Sequence, residues 1–158
     1  RGYEFFAGRI LDRECDASSS VRHFENLFKK SHWENLAEML SNELGVLGVV
    51  DDYEEEEIYK EGLTDLIDNL DWGSPQEVKE VIHDFEILDK RLNTFDRFLE
   101  EDAVKVFVGR SPITKSRNLS VIAADYGYGS GRVMIVAIGP KRMDYQKVIG
   151  VFKSLAER

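Results

Sequence analysis

Residues 118–152 read NLSVIAADYGYGSGRVMIVAIGPKRMDYQKVIGVF. Leu119 to Ala124 and Val133 to Ile138 are apolar runs of strand length. Between them, Asp125-Tyr-Gly-Tyr-Gly-Ser-Gly131 supplies the small residues that a hairpin connection needs. The second run stops at Gly139-Pro140, because Pro has no N–H to give a ladder. Tyr145, Val148, Ile149 and Phe152 then recur at i, i+3, i+4 and i+7, which predicts an amphipathic helix capped by Asp144. A hairpin feeding a helix is the unit to which the rest must be fitted.

Upstream, Val104 to Val108 is a further strand, closed by Gly109, and Arg110 to Arg117 is a polar, net basic loop containing Pro112. Ser74-Pro-Gln-Glu77 opens a helix, with Ser as N-cap, Pro in the first turn and Glu to complete a capping box. The pattern carries that helix to about Glu101. Its apolar positions, Val78, Val81, Phe85, Leu88, Leu92, Phe95 and Leu99, alternate three and four apart. Val78, Phe85, Leu88, Leu92 and Phe95 are therefore candidates for a dimer seam; the alternative is a helix lying along its own sheet. A bend is expected at Asn93-Thr94.

Before it, Leu63, Leu66, Ile67 and Leu70 predict a short helix, Ile58-Tyr59 an edge strand, and Asp51 to Glu57 a solvated acidic turn. Val46 to Val50 reads as a strand buried on both faces, with Gly48 allowing a close neighbour. Gly45 terminates a helix expected from Val21 to Leu44, along which His32 and Trp33 lie. The sum is α+β, with a mainly antiparallel sheet of about four or five strands packed with helices. Residues 1–20 are assigned to an N-terminal arm and 21–158 to the domain.

With 158 residues, 42% hydrophobic and 32% charged, the chain has the composition of one ordered domain. No apolar run reaches the roughly 18 residues of a membrane span. The formal charge of -9 makes the chain as a whole a poor partner for phosphate backbones. Cys15 is the single cysteine, which excludes an intrachain disulfide and suits a reducing cytoplasm. Position 1 is Arg, so a fragment of a longer protein is expected.

Catalytic patterns are missing. His23, His32 and His83 show no paired ligand spacing, and Cys15 has no adjacent base. Gly127, Gly129 and Gly131 lead into a strand rather than a helix N-terminus, so they read as a hairpin turn and not as a phosphate cradle. Lys141 and Arg142, beside the first turn of the last helix, are candidates for an anion contact. Tyr126 and Tyr128 join them as candidate ligand contacts. Alternatively Arg142 pairs with a local acid and fixes the corner. No cofactor, metal or catalytic residue is assigned.

Gly139-Pro-Lys-Arg-Met-Asp-Tyr145, followed by Val148-Ile149, resembles the "GP-R-MDY-VI" signature near the C-terminus of the HrcA repressors, the bacterial heat-inducible transcription repressors. Tyr59-Lys-Glu-Gly-Leu63 resembles that family's "Y-EGLSNLL" segment, and Val106-Phe-Val-Gly109 its strand ending in "IG". Arg1-Gly-Tyr-Glu-Phe-Phe6 is similar to the segment that follows the family's winged-helix domain. Two features depart from the family. Only the helix from Val21 and the strand at Val46 precede the "EGL" segment, where an inserted dimerisation domain is usual. Arg110-Ser-Pro112 stands where the family tends to be acidic.

The resemblance implies a reduced GAF-like regulatory and dimerisation domain, in the cytoplasm. Its winged helix, upstream of Arg1, would bind an inverted-repeat operator and repress stress and chaperone genes. Implied partners are a second copy, operator DNA through the upstream domain, and the chaperonin GroEL. The alternative is a small-molecule-sensing GAF-like domain of another transcription regulator.

Overall fold

The computed structural model describes residues 19–157. The expected arm, Cys15 and the segment Arg1 to Phe6 lie outside the described residues. In chain order the elements are α1 (Ser19–Lys29), α2 (Trp33–Leu44), β1 (Leu47–Asp52), β2 (Glu57–Glu61), α3 (Leu63–Asp68), α4 (Pro75–Glu86) and α5 (Leu88–Phe95). After a 3-10 turn (Asp96–Phe98) come β3 (Lys105–Val108), β4 (Leu119–Tyr128), β5 (Gly131–Pro140) and α6 (Tyr145–Ala156). The five strands form one sheet in the order β2-β1-β5-β4-β3 with every neighbouring pair antiparallel. The fold is α+β, as expected.

The hairpin is its spine. Ten residue pairs join β4 to β5, from Leu119↔Pro140 to Tyr128↔Gly131. The connection is therefore only Gly129-Ser130, shorter than the span from Asp125 to Gly131 that composition suggests. Gly129 has φ +57°, which glycine adopts without steric cost. Asp125 to Tyr128 are strand, since alternation places Tyr126 inward and buried despite the flanking glycines.

Alternating strand residues feed two cores. Val50, Ile122, Ala124, Tyr126, Val133, Ile135 and Ala137 face α1, α2 and α6. Val49, Val121, Ala123, Met134, Val136 and Ile138 face α3, α4 and α5. Each sheet face is thus covered by helices of the same chain. β1 is an inner strand, and a Cβ at Gly48 would lie 2.4 Å from the Ala37 carbonyl oxygen, so α2 can rest on the strand only where that residue has no side chain. Gly45 ends α2 in the left-handed conformation, φ +67°.

Two long helices of the sequence reading are broken. The expected helix from Val21 to Leu44 divides at Lys30–His32, where Ser31 takes φ +56°. This break turns Phe28 and Trp33 towards each other edge-to-face at 5.3 Å, and both bury against the sheet. The expected helix to Glu101 divides at Ile87, not at Asn93-Thr94. Leu88, Leu92 and Phe95 are buried in the second core, while Val78 and Phe85 are partly covered. Asp51 and Asp52 belong to β1, so the acidic turn is shorter than expected and one of its carboxylates is buried.

Candidate functional site

The signature residues fold into a corner between β5 and α6. A Cβ at Gly139 would meet Met143 Cε at 2.8 Å and Val46 Cγ1 at 2.9 Å, so Met143 folds back over bare backbone and is buried. Pro140 is the last ladder residue, and its carbonyl accepts from the Met143 N–H at 2.9 Å. The Lys141 N–H donates to the Asn118 carbonyl at 3.0 Å, tying the corner to the start of β4. Asp144 accepts from the Lys147 N–H at 3.1 Å, as an N-cap should. The Tyr145 hydroxyl reaches the Lys141 carbonyl at 2.5 Å and Ser120 Oγ at 2.7 Å, and Ser120 Oγ accepts from the Gly109 N–H at 3.1 Å. One tyrosine thereby fastens the ends of three strands to a helix. The spacing of the signature is that of a mechanical joint.

Around this joint the candidate contacts separate. Arg142 lies 3.3 Å from Asp71, both well exposed. The α6 N-terminus is already served by Asp144. Tyr126 is fully buried and donates to the Phe152 carbonyl at 2.8 Å. Tyr128 packs edge-to-face on Phe28 and Trp33 at 5.7 and 5.3 Å, and its hydroxyl meets Ser31 and the Lys29 carbonyl. Both tyrosines sit at the end of β4 remote from Lys141 and Arg142. The four residues do not line one pocket, because Lys141 follows Pro140, the partner of Leu119, whereas Tyr128 is the partner of Gly131.

The end of the sheet nearest the joint carries a second feature, which sequence reading missed. Asp84, buried on α4, accepts from Arg91 Nη1 at 2.8 Å and from the N–H groups of Lys115 and Ser116, each at 2.9 Å. Arg91 also donates to the Ile113 carbonyl at 3.0 Å. Ser111 and Thr114 hydrogen-bond one another at 2.7 Å and fix the turn from within. The 110–117 loop is therefore rigidly held, with Ile113, Thr114 and Ser116 buried and Arg110, Lys115 and Arg117 exposed. The available signal was Asp84 and Arg91, two helical turns apart beside the apolar stripe.

At the opposite end the sheet is acidic. Met134 pairs with both Asp51 and Asp125, so the two carboxylates share one row of the second face. Burial, reinforced by Asp52, Asp96, Asp125 and Asp89, pushes the Asp51 carboxyl up to about 6. Burial raises Asp125 too, against the opposing pull of Arg132, which ion-pairs with it. The Tyr53 hydroxyl and Asp125 Oδ1 are buried without hydrogen-bond partners. Burial and then Asp125 push the Tyr53 hydroxyl upward. Beside them is an open cleft of about 390 Å³ lined by Tyr53, Glu54, Asp96, Ser130, Gly131 and Arg132. Among the described residues no group of three or more His, Cys, Asp or Glu is arranged to hold a metal ion. No helix among them is long and apolar enough to cross a membrane.

Residues 9–149 match the family model described as HrcA protein C terminal domain. The protein named Heat-inducible transcription repressor HrcA from Thermodesulfovibrio yellowstonii is 28% identical over 106 residues, 66% of this chain and 30% of that protein. Its namesake from Anaeromyxobacter sp. is 32% identical over 97 residues, 60% of this chain and 27% of the relative. The Brevibacillus brevis protein of the same name is 29% identical over 127 residues, 79% of this chain and 35% of the relative. The chain spans about a third of the length of the curated relatives it matches. No solved structure matches it. With most of its length covered by that model, and the signature corner built as one packed joint, the chain belongs to the HrcA family through its C-terminal domain.

Proposed function

We propose that this chain is the regulatory and dimerisation part of a heat-inducible transcription repressor that acts on stress and chaperone genes from the cytoplasm. The observation that carries the reading is the family match over residues 9–149. The relatives' names describe repressors, and the role assigned here is non-catalytic. DNA is contacted in the first place through a winged-helix segment upstream, two copies of which reach the half-sites of an inverted repeat. The chain's task is to pair those copies and to bias the repressor between states, with the chaperonin GroEL as the partner that the family resemblance implies.

Pairing must use side chains not already buried in the two cores. Leu63, Trp72, Ile82 and Phe98, each 40–50% exposed, are the large apolar groups left outside. They replace the Leu88–Phe95 seam as candidates, because that seam is packed on the chain's own sheet. Sedimentation of residues 19–157 tests the role: a dimer at micromolar concentration is expected, and a monomer at high micromolar concentration overturns it. A reporter under a chaperone promoter tests repression by the full-length protein. The alternative, a small-molecule sensor, has its foothold in the cleft at Tyr53 and Arg132; a thermal shift with metabolites that is lost in Arg132→Ala would favour it.

A further inference from the structure

We propose that the row Arg110, Lys115, Arg117 and Lys141, at the sheet end formed by the close of β3, the start of β4 and the close of β5, is a secondary DNA surface that grips phosphates flanking the operator. This rests on the repressor reading above and names the part of the chain that meets the nucleic acid.

Three observations carry it. First, the geometry is set by the sheet. Val108 pairs with Ser120 and Leu119 with Pro140, so Arg110, Arg117 and Lys141 leave neighbouring strand ends. Adjacent strands lie about 4.8 Å apart, so the row is about 10 Å wide. Duplex DNA carries a charge per ~1.7 Å of axis, and a row of that width meets several phosphates. Second, the cations are unspent. All four are exposed, and none is ion-paired to a carboxylate of a described residue, in a chain of net charge -9. Third, the loop is held in place by the buried Asp84–Arg91 pair and by the Ser111–Thr114 turn, so its charges are presented without an ordering cost on binding.

Charge complementarity selects the partner. The acidic groups Glu54, Glu55, Glu56, Glu57, Glu100, Glu101 and Asp102 cluster at the opposite end of the sheet, beside Asp52 and Asp125. A second copy docking its acidic end on this row would make a head-to-tail contact that does not close, unlike the two-fold pairing an inverted repeat requires. Phosphates satisfy the row without that conflict. The row is too small to bind DNA alone. Tethered to an operator-bound segment it works at high effective concentration.

The test uses the full-length repressor and two duplexes carrying the inverted repeat that it selects from a random library, one trimmed to the repeat and one with flanks. Wild type is expected to bind the flanked duplex more tightly. Arg110→Gln/Lys115→Gln/Arg117→Gln/Lys141→Gln should lose that gain and lower the salt slope on the flanked duplex by about 2–4, near 0.9 per phosphate released. Replacement of the three arginine and lysine loop positions by the other basic residue should restore both. Equal wild-type affinity for the two duplexes, or an unchanged slope in the neutral variant, overturns the proposal and leaves the repressor reading standing. A wild type with no selected repeat removes both. Dissociation of the neutral variant into monomers would assign the row to pairing between copies and overturn the DNA assignment.

Discussion

Asp84 shows how much one side chain can hold. Its two oxygens accept from a guanidinium and two backbone amides while almost fully buried, and Arg91 beside it is 14% exposed. Removing the carboxylate leaves a buried cation and two amides without partners, a loss of about 3–5 kcal/mol. Asp84→Ala is therefore expected to lower the urea midpoint by most of what a domain of ~5–15 kcal/mol can lose. A cost under about 1 kcal/mol would show that the loop is not fastened as described. Asp51 is the opposite case, a carboxylate that the fold disfavours. Its folded value of about 6 exceeds the ordinary ~3.9 of an unfolded chain. The protonated form is the better folded one, so its stabilising contribution is complete below about pH 4 and is lost as the pH rises through about 6. Asp51→Asn should raise stability at pH 7 by about 2–3 kcal/mol, with little gain at pH 4. Equal gains at both pH values in urea unfolding would contradict the shift.

At the scale of elements, close backbone approach and turn geometry can be told apart by two glycines. A methyl at Gly48 would overlap the Ala37 carbonyl, which is backbone and yields only if α2 lifts. Gly48→Ala is expected to cost about 3 kcal/mol, the upper end of overpacking. Gly129 has open space and only its φ of +57°, so Gly129→Ala should cost about 1 kcal/mol. Thermal unfolding that ranked them the other way would refute the packing account. Elements with strong local signals were legible in advance. The alternation of β4 and β5, the Ser74 cap, the Gly45 stop and the Gly139–Tyr145 corner all follow from residues within one turn or pair of one another. The helix breaks at Ser31 and Ile87 were not legible. Each is imposed by distant partners, the Phe28–Trp33–Tyr128 ring cluster in one case and the curve of α4–α5 over the second core in the other. The same holds for the Asp84 clamp, whose acceptor and donors lie up to 32 residues apart.

Across the whole molecule the sheet separates charge along its strands. The basic row and the joint occupy one end, while acidic groups on the β1–β2 turn, before β3 and at the end of β4 crowd the other. Net charge is -9, and exposed acids such as Glu54, Glu55 and Glu56 have no basic neighbour within ion-pair distance among the described residues. Repulsion between such groups opposes the compact state and is screened once the Debye length falls towards 8 Å, near 0.15 M salt. Surface ion pairs run the other way, but Lys60–Asp89 and Arg142–Asp71 are exposed and contribute little. Salt should therefore stabilise the domain. Raising NaCl from about 20 mM to about 300 mM is expected to lift Tm by roughly 2–4 °C, the shift that about 1 kcal/mol produces at this size. Glu55→Lys/Glu56→Lys, which places cations in the acidic end, should raise Tm at low salt and flatten the response. A Tm that falls with salt in the wild type, or a double variant less stable at low salt, would mean that the acidic end is held together by pairs rather than strained by repulsion.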